Sequence, residues 1–187
     1  FFIFLNNTVH ANNIKNSAVV FMYHKFGQLD YPSTNIRIEQ FEEHLEEFSK
    51  SKYNVLSIEY IIDTIVNDGQ LPNNTIGITI DDADDSFLTE AWPRLKERGF
   101  PVTLFITAST ISNNSNYLNW KQIRQLQKEG VAIGSHSLTH EHMANFTIEQ
   151  MKIEIEKSNK IFLKEIGKIP TLFAFPYGET DEKFIDL

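Results

Sequence analysis

Two neighbouring carboxylates, Asp81 and Asp82, close a short apolar run that begins at Ile76. Side chains alternate along a strand, so one carboxylate at such an end can face a metal ion while its neighbour faces a water. Adjacent charges at the rim of a hydrophobic interior are costly unless compensated, and a cation would compensate them. The plain structural alternative is a helix N-terminus, where Asp caps amides and favours the dipole. That alternative suits Asp84 and Asp85; Asp81 and Asp82 are assigned to chemistry.

A second apolar run, 131–134, leads into His136 and His140. Four residues apart on one helical turn, both imidazoles would aim at a single point, as a tetrahedral or octahedral ion requires. The pair alone is a weak signal. It gains weight from the Asp pair at a separate strand end, because in a parallel β/α barrel all such ends open on one face. His142, two residues further on, would face elsewhere and is read as surface. His24 ends the first apolar run on the same face, either as a hydrogen-bonded structural residue or as a contact in a substrate groove. His10 and His44 are read as solvated. At a third rim position, Pro176 stiffens and Gly178 frees a turn, which would fix the Tyr177 amide against a developing oxyanion. An aromatic turn that only braces loops is the structural alternative, and taken alone the turn favours it.

The elements that must carry these residues are legible as alternation. Short β-branched or aromatic runs at 18–23, 55–57, 76–80, 102–106, 131–134 and 172–175 predict strands, and helical stripes lie between them. The stripes are Ile38, Phe41, Leu45 and Phe48; Ile61, Ile62 and Ile65; Leu88, Ala91 and Leu95; Leu118, Trp120, Ile123 and Leu126; and Met151, Ile155 and Phe162, the last opened by a capping box of Thr147 and Gln150. All are read as core. The polar stretch 112–116 is a surface loop. Strand and helix in alternation predict an α/β fold with a parallel sheet. A closed barrel generally takes about 250 residues, so a chain of 187 is expected to form a distorted, incomplete (β/α) barrel.

A length of 187 residues with 41% hydrophobic residues suits one domain. A net charge of -8 with no Lys/Arg block argues against nucleic acid, and no apolar run is long enough for a transmembrane segment. There is no cysteine, which removes thiolate chemistry and disulfides. The apolar start from Phe1 to Leu5, with small residues up to Ala11, reads as a signal-peptide remnant over 1–11. Residues 12–187 are then the catalytic domain, truncated at its C-terminus just after a helix start at Thr180. The expected location is secreted, periplasmic or cell-envelope associated.

Three segments together resemble the polysaccharide deacetylase family, the family 4 carbohydrate esterases: Thr79 to Asp82, His136 to His140, and Phe175 to Gly178, in matching order and separation. The resemblance runs from about Ala18 to the C-terminus, and three motifs in combination are far more specific than one. It implies a distorted β/α barrel and removal of acetyl groups from N-acetylglucosamine polysaccharide or oligosaccharide. It further implies that Asp81 is the general base, that Asp82, His136 and His140 bind a divalent metal, and that the Tyr177 amide holds the oxyanion. Pro176, Tyr177 and His24 are expected to touch substrate. Zn2+ suits a set of two His and one Asp, although other first-row divalent ions use the same ligand types.

The chain departs from the family pattern in three places. Ala83 stands where Gly often follows the Asp pair, a change tolerated if φ there is negative. Ala174 stands where an Arg often orients the base, so another residue must position Asp81 or activity is low. The late Leu-x-His segment that supplies the general acid in the family, and the Asp/Trp segment before it, are absent because the sequence stops first. The Phe-Ala-Phe-Pro-Tyr-Gly form of 173–178, the Met22, Tyr23 and His24 segment and the signal-peptide reading of 1–11 lean towards exported poly-N-acetylglucosamine of biofilm matrices, with chitin oligomers and peptidoglycan as alternatives. A carbohydrate-binding relative with a metal site and little turnover is the competing class, and a barrel hydrolase acting on a small amide a weaker third.

Overall fold

The computed structural model describes residues 16–28, 30, 32–112 and 115–181. The expected leader over 1–11, His10, part of the 112–116 loop and the end of the helix expected to start at Thr180 lie outside these residues.

The chain begins with β1 (Ala18–Tyr23), the two-residue strands β2 (Lys25–Phe26) and β3 (Asn35–Ile36), and α1 (Ile38–Phe48). β4 (Asn54–Val55), α2 (Ile58–Val66) and β5 (Thr75–Ile80) follow. A π-helical turn over Phe87–Ala91 then runs into α3 (Trp92–Glu97), and β6 (Thr103–Ile106), α4 (Trp120–Lys128), β7 (Ala132–Ser135) and α5 (Ile148–Ile166) complete the series. Every pairing between these strands is parallel.

β5 is central because its sequence can be buried on both faces: all six of its residues are buried. β1 pairs along its whole length, from Ala18 opposite Thr75 to Tyr23 opposite Ile80. Its other edge is divided, with β4 against Thr75 and Ile76, and β6 against Thr79 and Ile80. β7 pairs with β6, and one further bridge joins Ser135 to Phe173. Among the described residues the sheet does not close, so the expectation of an α/β fold with an unclosed barrel holds. No helix among these residues is long and apolar enough to cross a membrane.

One core cluster joins the strands to Phe41, Leu45 and Phe48 of α1, Leu95 of α3, Ile123 and Leu126 of α4, and Phe162 of α5. The Thr147 and Gln150 capping box opens α5 as expected, and Gly167 ends it at φ 75. Gly134 is required by packing: in register with Phe105 on β6, it leaves room for a ring that an added Cβ would run into.

Several expectations need correction. The run 172–175 forms only the bridge at Phe173, because Pro170 and Pro176 flank it and neither has an N–H to extend a ladder. The run 55–57 is a strand only to Val55, since Ser57 instead caps α2 by accepting from the Tyr60 amide. On α2, Ile58 and Ile61 face the core while Ile62 and Ile65 are exposed; a short helix apolar on several sides can bury only one. Leu118 precedes α4 rather than belonging to it. His44 is half-buried, with its Nδ1 2.8 Å from the Tyr23 hydroxyl, and is not simply solvated.

Candidate metal centre

Because the strands of the main sheet are parallel, the segments that follow β1, β5 and β7 emerge at one end of that sheet. The β5 ladder runs one step past the strand, with the Asp81 amide donating to Tyr23 O at 2.9 Å. Asp82 and Ala83 then adopt φ 70 and φ 60, turning the chain sharply at the rim. Ala83 is therefore in the left-handed region, contrary to the condition on which its tolerance was expected. Its methyl group is fully buried, and its carbonyl is anchored by the Leu118 amide at 3.0 Å.

The turn is tied down by Asp84, whose buried carboxylate accepts from the Ser86 amide at 3.0 Å, the Ser86 hydroxyl at 2.5 Å and Gln28 Nε2 at 2.7 Å, with Lys25 Nζ 3.8 Å away. Ser86 Oγ in turn accepts from the Phe26 amide at 3.0 Å. The local capping expected of Asp84 is present, and the same carboxylate also fastens the segment after His24 to the segment after Asp81.

His136 and His140 do converge, but not on a helical turn. Residues 136–140 form an irregular loop in which Ser137 (φ 72) and His140 (φ 62) are left-handed. Ser137 Oγ accepts from the His140 amide at 2.9 Å, folding the loop back on itself. His140 Nε2 lies 3.3 Å and His136 Nε2 3.8 Å from Asp82 Oδ1, and one donor atom from each of the three residues lies within 4.8 Å of the others. In a tetrahedral site with ligand bonds of about 2.0–2.1 Å, donor atoms stand about 3.3–3.4 Å apart, so the three fit a metal with little adjustment.

The protonation pattern agrees with ligation. His136 Nδ1 lies 2.9 Å from Ala174 O. A carbonyl only accepts, so Nδ1 carries the proton and the Nε2 lone pair is left facing Asp82. Burial pushes the His136 pKa down, favouring the neutral imidazole that a metal needs.

Asp81 is buried beside this cluster, and burial first, then the Asp82 carboxylate, lift its pKa from 3.8 to about 7. His24 Nε2 lies 4.0 Å from Asp81 Oδ2, and burial pushes His24 down. Since the imidazole is driven down and the carboxyl up, the pair is a close approach of two neutral-leaning groups rather than an ion pair. His24 is the imidazole beside Asp81 on a site where position 174 holds Ala.

Pro176–Gly178 forms a 3-10 turn with Tyr177 at φ 60. Its hydrogen bonds run from the Gly178 amide to Phe175 O and from the Glu179 amide to Pro176 O, so closing the turn does not consume the Tyr177 amide. The Tyr177 ring is 56% exposed at the rim, edge-on to His140 at 4.8 Å and stacked on His142 at 3.9 Å. His142 is on the surface as expected, but it also braces Tyr177 and pairs with Glu179 at 2.9 Å.

One participant was missed from the sequence. Glu154 of α5 is buried and accepts from the Leu138 and Thr139 amides, both at 3.1 Å, and from the Thr139 hydroxyl at 3.0 Å. The signal was a carboxylate on the buried stripe of Met151, Ser158 and Phe162, where a charge is retained only if something satisfies it.

Residues 68–187 match the family model described as Polysaccharide deacetylase. The Bacillus subtilis (strain 168) protein YxkH is 24% identical over 164 residues, which is 88% of this chain and 58% of that protein. Peptidoglycan-N-acetylglucosamine deacetylase PgdA of Listeria monocytogenes serotype 1/2a (strain 10403S) is 28% identical over 112 residues, 59% of this chain and 23% of that protein. The chain thus spans less than two thirds of the length of these curated relatives. Among solved structures, Streptococcus pyogenes deacetylase PplD in complex with acetate matches with a TM-score of 0.82 at 18% identity, over 92% of this chain and 79% of that one. IcaB from Ammonifex degensii matches with a TM-score of 0.80 at 20% identity, over 91% and 78%. At such identities the structural likeness establishes the fold.

Proposed function

Because the chain belongs to the polysaccharide deacetylase family, we propose that it hydrolyses the acetamide of N-acetylglucosamine units in a polysaccharide, releasing acetate, with Zn2+ held by Asp82, His136 and His140. The observation that carries this reading is the meeting of one carboxylate and two imidazole Nε2 atoms from separate strand ends, beside a second, buried carboxyl.

When bound, a divalent ion lowers the pKa of water from about 15.7 towards about 7 and polarises the acetyl carbonyl. The chain supplies the rest. Asp81, with a pKa near 7, is matched to taking the proton of an attacking water at neutral pH. The Tyr177 amide, set in a left-handed turn, is the donor to the oxygen that becomes negative as the carbonyl turns tetrahedral, a role supported by the turn's own hydrogen bonds leaving that amide out. His24 Nε2 lies 4.0 Å from Asp81 Oδ2 and is the imidazole beside the proposed base. The exposed ring of Tyr177 forms the wall against which a sugar ring would rest, whereas Pro176, expected from the sequence to touch substrate, is buried beneath the turn and only shapes it.

An N-acetylglucosamine substrate is supported by the named activity of the Listeria relative. The finer lean towards exported poly-N-acetylglucosamine rests on the Met22, Tyr23 and His24 segment, the 173–178 segment and the signal-peptide reading of 1–11, and implies work outside the cytoplasm. The test is acetate release from poly-N-acetylglucosamine oligomers, chitin oligomers and peptidoglycan fragments, alongside metal analysis of the same preparation. Release from at least one N-acetylglucosamine polymer is expected. Metal uptake with no release from any of them would favour the carbohydrate-binding reading instead.

A further inference from the structure

The loop that carries both histidines is held in a shape it would not adopt unaided, with two non-glycine residues in the left-handed region. Its carbonyls are taken from one side by the segment after β6, where the Ala108 amide donates to Ser137 O at 3.1 Å and the Ser109 amide to Leu138 O at 3.0 Å. Its amides are taken from α5 by a single carboxylate. Glu154 Oε2 accepts from both Leu138 and Thr139, while Oε1 accepts from the Thr139 hydroxyl. Leu138 and Thr139 lie between His136 and His140, so fixing their amides fixes the span from which the two imidazoles depart. Glu154 itself stands outside the cluster of donor atoms, which Asp82, His136 and His140 complete without it. An apolar side chain would serve the Met151, Ser158 and Phe162 face of α5 as well for packing alone.

We propose that Glu154 is a positioning residue for the metal centre, setting the separation and aim of His136 and His140 by clamping the two amides between them. The proposal rests on the metal reading above. It makes affinity for the ion, and not only stability of the fold, depend on a carboxylate that never touches the ion. Changes to groups that orient metal ligands typically weaken metal affinity by about 10–100-fold, and a clamp acting on two ligands at once belongs in that range.

The test is equilibrium competition for Zn2+ against a chromogenic chelator at fixed pH, with thermal unfolding of the metal-free protein measured in parallel. Glu154→Ala should bind Zn2+ about 10–100-fold more weakly. Glu154→Gln should stay within about threefold of the parent, because its amide oxygen still accepts both backbone N–H groups and its NH2 can donate to Thr139 Oγ1. Met151→Ala, on the same buried face of α5, should lower stability and leave affinity alone. A folded Glu154→Ala with affinity within about twofold of the parent overturns the proposal, as does a Met151→Ala that weakens Zn2+ equally. If Glu154→Ala does not fold, Glu154→Asp decides: one methylene shorter, it cannot reach all three donors, and parent-like affinity in it refutes the clamp. A parent that takes up no Zn2+ sinks this proposal and the proposed function together, whereas a parent that binds while the Glu154 variants match it sinks the clamp alone.

Discussion

Replacing Asp81 by Asn separates two consequences of one buried carboxyl. Burial and the Asp82 carboxylate raise its pKa from 3.8 to about 7, so the folded protein holds this proton more tightly than the unfolded chain does. A group with a raised folded pKa that is charged when deprotonated lowers stability as pH rises from the unfolded value through the folded one, and the loss levels off above it. At about 1.36 kcal/mol per pH unit the full span corresponds to about 4 kcal/mol, and partial relaxation of the ionised site brings the expected range to about 2–4 kcal/mol. Asn keeps the shape and cannot ionise. In chelator-treated protein, urea denaturation from about pH 4.5 to about pH 8.5 should show Asp81→Asn gaining steadily on the parent up to about pH 7, then holding a lead of about 2–4 kcal/mol. Acetate release by the variant should be lost at every pH, with metal content after dialysis close to the parent's. A gap between the two proteins that does not widen with pH would mean the carboxyl is not desolvated, and its tuning as a base would have no physical footing.

His136→Ala removes a ligand whose other nitrogen is already committed to Ala174 O; metal content and turnover should both disappear, and full metal occupancy in this variant would show the ligand set to be wrong. Ala83→Val places a β-branched side chain at φ 60 in a fully buried position. Its cost should be about 2–4 kcal/mol in urea denaturation, and a neutral result would contradict the left-handed turn. Gly134→Ala drives a Cβ into the Phe105 ring and should cost about 1–3 kcal/mol. Gly77→Ala should cost less, since its new Cβ meets the flexible end of Ile58 at 2.6 Å, and equal losses in thermal unfolding would show that the ring contact does not govern Gly134.

The parts of the site legible in the sequence were those fixed by strand period and strand ends. β5 is an uninterrupted apolar run buried throughout, so the placement of Asp81 and Asp82 at its mouth follows directly from it. The meeting of His136 and His140 with Asp82 was also foreseen, although by a different local geometry. A spacing of four suggests a helical turn, but here two left-handed residues do the work, and the clamp that holds them comes from α5. No pattern within 136–140 encodes that partner. The segment 172–175 had the composition of a strand, yet its only bridge is at Phe173, because flanking prolines outweigh β propensity. His44 was recoverable: it sits three residues after Phe41 and four before Phe48, at the border of the buried stripe of α1, within reach of Tyr23.

The hydrogen bond from His136 Nδ1 to Ala174 O gives the 172–178 arm two duties. At one end it holds an imidazole, and three residues later it carries Tyr177, whose amide the proposed function assigns to the oxyanion. The arm hangs from β7 through the Ser135 amide donating to Leu172 O and the Ala174 amide donating to Ser135 O, both at 2.9 Å. Any tilt of that short lever moves both ends together. Under the proposed function, preference among ions and grip on the developing negative charge are then geared to each other, and a substitution near Pro176 that improves one will be felt by the other without a ligand or a base having been touched.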